Sequence, residues 1–217
     1  MELNPIKNKK IFVFLIIKEE NNLTDDESQN LNNILEKNDV KLATIAIDNA
    51  QMEIFKTTEL AMFLNESMLP CYQVDIPEYA KGYLDNEVLE EEEELEGLIS
   101  EYNDMKDKES FRGNYLKSWI EHLEKKVQDK REHIEIKVKT QWIVKNMLDL
   151  LRYYGDSLFY EESIYILHFT PEKLVKDLLQ VLEELGVFVI VADVKSKILP
   201  RSESNLSWEV DLCKFSN

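Results

Sequence analysis

Short apolar runs alternate along the chain with longer amphipathic segments. Ile11–Ile17 reads IFVFLII, and such a continuous β-branched and aromatic run is typical of a strand buried on both faces. Further short apolar runs lie at Val40–Ile47, Leu69–Val74, Ser163–Leu167 and Val187–Ala192. Because helical patterns separate most of these strands, the sequence predicts an α/β fold with a mainly parallel, Rossmann-like sheet of five to six strands.

A different pattern near the end of the chain predicts the sixth strand. Within Ser207–Leu212, the apolar residues Trp208, Val210 and Leu212 alternate with acidic residues. Strict alternation is typical of a strand with one solvated face. We therefore expect this strand to lie antiparallel at an edge of the sheet.

Capping residues predict where the shorter helices begin and end. Thr24 and Glu27 have the spacing of a capping box. Met52–Asn65 carries apolar residues at helical spacing and predicts a single helix. Thr170 is the predicted cap of the last helix, and Gly186 occupies the position of a left-handed C-terminal cap.

The longest helical pattern lies between the third and fourth predicted strands. Between Pro77 and Pro171 the chain has no proline, and apolar residues recur at three- and four-residue steps. This spacing predicts two helices that pack as a coiled-coil-like antiparallel hairpin, with the turn within Asp107–Asn114. The predicted interaction surface consists of Leu84, Val88, Leu95, Leu98 and Tyr102 in the first arm and Leu116, Ile120, Leu123 and Val127 in the second. The chain thus divides into an α/β core of residues 1-78 and 156-217 and a hairpin insertion of residues 79-155.

One segment of the second arm has two interpretations. Ile134–Lys139 alternates apolar and polar residues with period two, as a strand does. We favour a helix because the three- and four-residue steps continue through this segment and no turn residue bounds it.

The two arms of the hairpin carry opposite charge. Residues 78–112 hold 13 Asp/Glu and 4 Lys/Arg, whereas residues 113–154 hold 6 Asp/Glu and 9 Lys/Arg. This complementarity favours folding of one arm back onto the other.

Composition limits the partners and cofactors of the chain. The net charge of −17 in 217 residues disfavours binding to nucleic acid or to an anionic membrane surface, because phosphate groups need concentrated Lys and Arg. No glycine precedes Gly82, so a glycine-rich nucleotide cradle cannot follow the first two strands, and we expect no cofactor. Cys71 and Cys213 form neither a disulfide framework nor a metal-binding spacing. The expected setting is cytoplasmic.

Several acidic residues and a histidine follow the predicted strands. Asp48, Asp75, His168 and Asp193 lie where strands end, and ligands of doubly wound sheets bind at this edge. Three carboxylates with an imidazole predict, as one alternative, a metal-dependent hydrolase with Asp48, Asp75 and Asp193 as metal ligands. The structural interpretation is that Asp75 caps the following helix, Asp48 makes a turn, and His168 is a hydrogen-bonded loop residue.

Tyr79 and Lys81 suggest a second alternative. They follow the third strand closely and could bind an anionic group of a small ligand, which would make the chain a ligand-binding regulatory domain. The leading interpretation is a non-catalytic α/β domain that mediates protein association through the helical hairpin, either as a homo-oligomer, which we favour, or with another protein as its partner.

Overall fold

In a computed structural model of the protein, which describes residues 10–153 and 163–193, five strands form one all-parallel sheet. The strands are β1 (Lys10–Ile17), β2 (Val40–Ile45), β3 (Cys71–Gln73), β4 (Ser163–Thr170) and β5 (Phe188–Asp193), in the spatial order β3-β2-β4-β1-β5. The predicted α/β fold with a helical segment inserted between the third and fourth strands is confirmed. Ser207–Leu212, the predicted edge strand, lies outside the described residues.

Seven α-helices connect these strands within the described part. They are α1 (Asp25–Lys37), α2 (Asn49–Phe55), α3 (Glu59–Glu66), α4 (Glu78–Asp104), α5 (Phe111–Glu132), α6 (Lys139–Tyr153) and α7 (Glu172–Glu184). A π-helical segment, His133–Val138, joins α5 to α6. No helix in this part of the chain is both long enough and apolar enough to cross a bilayer.

The described chain divides into two compact units. One contains the described residues up to Asp75 and from Thr140 onward, and the other is Ile76–Lys139. We call the first the α/β unit and the second the hairpin unit.

Strand β1 lies between β4 and β5 and pairs with both. It pairs with β4 from Lys10↔Ser163 to Ile17↔Thr170 and with β5 from Phe12↔Phe188 to Ile17↔Asp193. The chain runs from β1 through β2 to β3 at one edge, then back through β4 to β5 at the other. Because parallel crossovers are right-handed, α1, α2 and α3 lie on one face of the sheet, and α6 and α7 lie on the other.

One face of the sheet packs against α1, α2 and α3. Its buried core is made of Phe14, Ile16, Ala43, Ile45, Leu167, Phe169 and Ala192 from the strands, and Leu31, Ile34, Phe55, Leu60, Ala61 and Leu64 from the helices. Burial of this apolar surface is the main stabilising contribution to the α/β unit.

The caps of α1 and α7 confirm two predictions. Thr24 and Glu27 form the capping box that begins α1. Gly186 has φ 75°, and the Val187 amide donates to the Leu182 carbonyl at 2.9 Å. This is a Schellman ending, in which a left-handed residue stops the helix before β5.

The prediction of one helix over Met52–Asn65 is wrong, because the chain is broken between α2 and α3. The hydroxyls of Thr57 and Thr58 donate to the Ile54 and Phe55 carbonyls. Thr58 then accepts a hydrogen bond from the Ala61 amide as the cap of α3. Threonine hydroxyls compete with helical backbone bonds in this way, and the helical spacing of the apolar residues concealed the break.

Strand β4 is longer than predicted and includes Thr170, which therefore does not cap α7. Pro171 is the cap residue and has no capping side chain. Instead, Glu19 accepts a hydrogen bond from the Glu172 amide at 2.8 Å. A carboxylate from the loop after β1 thus occupies the positive end of α7.

In the hairpin unit, α4 and α5 pack antiparallel, and the second arm is helical throughout. The strand alternative for Ile134–Lys139 is wrong, since this stretch falls within the π segment and the start of α6. The π-helical segment, whose hydrogen bonds span one residue more than those of an α-helix, joins α5 to α6 without interrupting the arm.

The turn between α4 and α5 depends on Ser110 and Gly113. Ser110 caps α5 and accepts from the Gly113 amide at 3.1 Å. A Cβ at Gly113 would collide with the Lys108 carbonyl, so glycine permits the close approach here. By contrast, nothing lies within 4 Å of a Cβ at Gly82.

Candidate functional site

The residues predicted at the strand ends have separate structural roles. Asp48 caps α2 through a reciprocal capping box with Gln51. Asp75 is buried, and its carbonyl accepts from the Asn146 side chain at 2.8 Å. The predicted cap of α4 by Asp75 is wrong, because α4 begins after Pro77 without a capping side chain. Asp193 ends β5, and its side chain lies outside the described part.

His168 lies inside β4 and is fully buried, so the prediction of a loop histidine is wrong. Its neighbours Leu167 and Phe169 face the α1–α3 core, which places His168 on the other face of the sheet. Burial lowers its pKa to about 3. The imidazole is therefore neutral at physiological pH.

Thr44 is the hydrogen-bonding partner of His168. The Thr44 Oγ1 lies 2.9 Å from His168 Nδ1 and donates to the Leu167 carbonyl at 3.2 Å. A hydroxyl has one proton to donate, so in this arrangement Nδ1 donates to Oγ1 and Nε2 carries the lone pair. Within the described residues, His168 Nε2 and the hydroxyls of Thr140 and Thr170 are buried without a partner.

The described residues contain no group of three or more His, Cys, Asp or Glu side chains that could hold a metal ion. Burial raises the pKa of the Cys71 thiol to about 12, which leaves it a weak nucleophile. The metal-dependent hydrolase therefore remains a prediction from sequence to which the geometry adds no support.

Tyr79 and Lys81 belong to the first turns of α4. Tyr79 is largely exposed, and Lys81 is half-buried. Their position on a helix, with one residue between them, points the two side chains in different directions. The structure does not bring them together.

The apolar residues predicted as the interaction surface pack between the two arms of the hairpin. Val88 in α4 and Leu116, Ile120, Leu123 and Val127 in α5 are buried, and Leu84, Leu95, Leu98 and Tyr102 are half-buried. They form the seam of the hairpin, so most of their surface is already covered by the chain itself.

Ion pairs flank this seam and fix the register of the two helices. Glu91 accepts from Lys126 at 3.1 Å and from Lys130 at 3.3 Å. Arg131 reaches Glu92 with two hydrogen bonds of 2.7 and 2.6 Å. Hydrogen bonding to Lys126 and, to a smaller extent, to Lys130 lowers the pKa of Glu91 below its ordinary value. The predicted charge complementarity thus appears as specific contacts, although exposed pairs contribute little stability each.

Five large aromatic side chains of the hairpin unit remain in contact with solvent. The exposed fractions are 77% for Tyr79, 66% for Tyr83, 89% for Phe111, 61% for Tyr115 and 41% for Trp119. Folding usually buries such side chains. The sequence analysis did not predict that these aromatic residues would be exposed together. The four-residue spacing of Phe111, Tyr115 and Trp119 was nevertheless visible in the sequence.

All five aromatic residues lie on one side of the hairpin. At about 100° per residue, Phe111, Tyr115 and Trp119 form a stripe about 110° round α5 from the seam. Tyr79 and Tyr83 form a stripe about 120° from the seam of α4 in the same rotational sense. In an antiparallel pair, equal senses of rotation lead to the same side. The ion pair between Arg112 and Glu101 at 2.6 Å bridges the helices on that side.

We call this surface the aromatic side of the hairpin, made of Tyr79, Tyr83, Phe111, Tyr115 and Trp119. The opposite side carries charged residues, among them Glu92, Lys117, Glu121, Glu124 and Arg131. Comparison of the chain with protein-family models, curated proteins and solved structures finds no match.

Proposed function

We propose that the chain acts by protein association and that the aromatic side of the hairpin is its contact surface. The observation that carries this proposal is the one-sided exposure of the five aromatic residues. Interfaces are enriched in Tyr, Trp and Phe at their buried centres, whereas solvated helix faces are charged. Exposed aromatic residues near the start of each helix, on a surface that otherwise carries charged residues, support a docking surface better than a solvated one.

The hairpin is suited to this role because its own fold does not depend on the exposed aromatic residues. The seam, the flanking ion pairs and the Ser110 turn hold α4 and α5 together. The aromatic side is therefore preorganised on two long helices, which lowers the conformational entropy lost on binding. The sparse cysteine content favours a reducing, cytoplasmic setting.

Site-directed photo-crosslinking of the full chain in cells tests this proposal. A photoreactive amino acid replaces Tyr115 on the aromatic side or, as the matched control, Glu121 on the opposite side of α5. We expect a protein adduct at position 115, identified by mass spectrometry, and none at position 121. The adduct should disappear when Phe111 and Trp119 are both replaced by Ala.

A second control separates the surface from general damage to the helix. Replacing Lys117 and Glu124, which lie on the opposite side, should leave the adduct at position 115 unchanged. The absence of an adduct at position 115, or equal adducts at both positions, would overturn the proposed function.

A further inference from the structure

The charges on the aromatic side suggest what covers it. On α4 this side carries Glu87, Glu90 and Glu94, which are exposed. On α5 the same side carries Lys126 and Lys130, whose ammonium groups reach Glu91 near the seam. The α4 half of the surface therefore carries three acidic side chains, and the α5 half carries two lysines.

From this pattern we infer that a second copy of the chain covers the aromatic side, with α4 of each copy lying over α5 of the other in a four-helix bundle. This inference rests on the proposed function and names its partner. A two-fold interface uses the same patch twice, so it must be complementary to itself. The charges of α4 and α5 are complementary across the interface only when α4 of one copy lies over α5 of the other. If α4 lay over α4, acidic residues would face acidic residues.

The register of the hairpin brings the opposite charges to the same level. The pair between Glu91 and Lys126 shows that the middle of α4 lies beside residues 126–130 of α5. A two-fold axis parallel to the helices leaves the position of each residue along the helix direction unchanged in the second copy. Glu87, Glu90 and Glu94 of one copy then face Lys126 and Lys130 of the other.

Gly97 provides room for the aromatic residues in this arrangement. It lies on the aromatic side of α4, roughly level with Trp119, and nothing lies within 4 Å of a Cβ at this position. Glycine inside an exposed helix is unfavourable by about 1 kcal/mol relative to alanine, and no contact within the described chain requires it here. A depression at Gly97 accommodates an indole from the second copy.

The size of the surface is adequate for a stable dimer. Two helices side by side, about 20 Å wide and about 33 Å long, cover about 650 Å² on each copy. The total of about 1,300 Å² falls within the range of specific interfaces, roughly 1,200–2,000 Å².

A charge-exchange experiment on the full chain tests this inference. Variant A carries Glu87→Lys, Glu90→Lys and Glu94→Lys. Variant B carries Lys126→Glu and Lys130→Glu, together with Glu91→Lys so that the ion pairs inside the hairpin persist with reversed sign. Circular dichroism checks that both variants keep the helical content of the wild type.

Light scattering then measures the mass of each protein at concentrations up to about 100 μM. We expect the wild type to be a dimer, variants A and B each to be at least ten-fold weaker in self-association, and an equimolar mixture of A and B to dimerise as the wild type does. A wild type that stays monomeric overturns the inference. A mixture that stays monomeric, or variants that dimerise unchanged, overturns the arrangement of α4 over α5.

The two proposals fail separately. If Tyr115 crosslinks to a different protein while the wild type is monomeric, the proposed function stands and the second copy is excluded. If position 115 yields no adduct, the proposed function itself is wrong, whatever the mass in solution.

Discussion

The neutral imidazole of His168 makes the stability of the sheet depend on pH. Its pKa falls to about 3 in the folded chain because of burial, whereas an exposed histidine has a pKa of about 6.5. Below pH 6.5 the unfolded chain takes up a proton that the folded chain resists. The contribution of His168 is therefore complete above this pH and is lost progressively as the pH falls towards 3.

We predict that the free energy of unfolding of the wild type falls by about 1 kcal/mol more between pH 6.5 and 5.5 than that of His168→Leu. Urea unfolding at the two pH values measures this difference, and most carboxylates remain charged in this window. His122→Leu, at an exposed position of α5, is the matched control for loss of a histidine. Equal pH dependence in wild type and His168→Leu would contradict the burial of a neutral imidazole.

Gly113 and Gly82 give opposite expectations for the same substitution. Gly113→Ala places a methyl group against the Lys108 carbonyl, and we expect a loss of about 1–3 kcal/mol because backbone must move. Gly82→Ala enters open space within α4 and should stabilise the helix by about 0.5–1 kcal/mol. Thermal unfolding followed by circular dichroism compares the two variants. A stable Gly113→Ala would show that the turn does not need this close approach.

At the level of elements, a buried ion pair connects the end of β1 with the start of α1. Lys18 Nζ lies 2.9 Å from Glu27 Oε2, and both side chains are 5% exposed. Burial alone would raise the pKa of Glu27, but hydrogen bonds from the Thr24 backbone and from Lys18 hold it below its ordinary value. The same carboxylate completes the capping box of α1.

We predict that Lys18→Met destabilises the chain by about 3–5 kcal/mol, because it leaves the Glu27 carboxylate buried without its cation. The double variant Lys18→Met/Glu27→Gln should recover much of this loss, since glutamine retains the capping box. Urea unfolding of the two single variants, the double variant and the wild type completes the cycle. Additive effects in this cycle would show that the two side chains are not coupled.

The elements of the fold were predictable where one physical signal dominated. Continuous apolar runs identified β1 to β5, and the capping box of Thr24 and Glu27 identified the start of α1. The break at Thr57 and Thr58 was not predictable from apolar spacing, because it depends on hydroxyl groups that bond to the preceding turn. The end of β4 was placed too early because His168 and Thr170 are polar residues in a buried strand.

The candidate site was less predictable than the fold. The strand order depends on pairing between distant segments, so the sequence could not tell which carboxylates would meet. The spacing of the seam residues identified the hairpin. However, these residues pack between its two arms, so they do not form the exposed interaction surface that was predicted. The exposed aromatic residues become a surface only when the rotation of each helix about the seam is known.

For the whole molecule, association through the aromatic side predicts a melting temperature that rises with protein concentration. Dimer formation stabilises the folded chain by mass action, so the Tm of the wild type should increase between about 1 and 100 μM, by a few degrees. The variant Tyr115→Ala/Trp119→Ala should melt at the same temperature throughout this range. Differential scanning fluorimetry at several concentrations measures both. A wild-type Tm without concentration dependence would count against a dimer.

The order β3-β2-β4-β1-β5 also affects how the protein is made. Strand β1 is translated first, yet both of its neighbours belong to the last part of the chain, since β4 begins only at Ser163. At about 5–20 residues per second, the ribosome takes roughly 7–30 s to supply them. During this interval the segment IFVFLII leaves the exit tunnel without a pairing strand, so we expect nascent chains to depend on a chaperone that shields it.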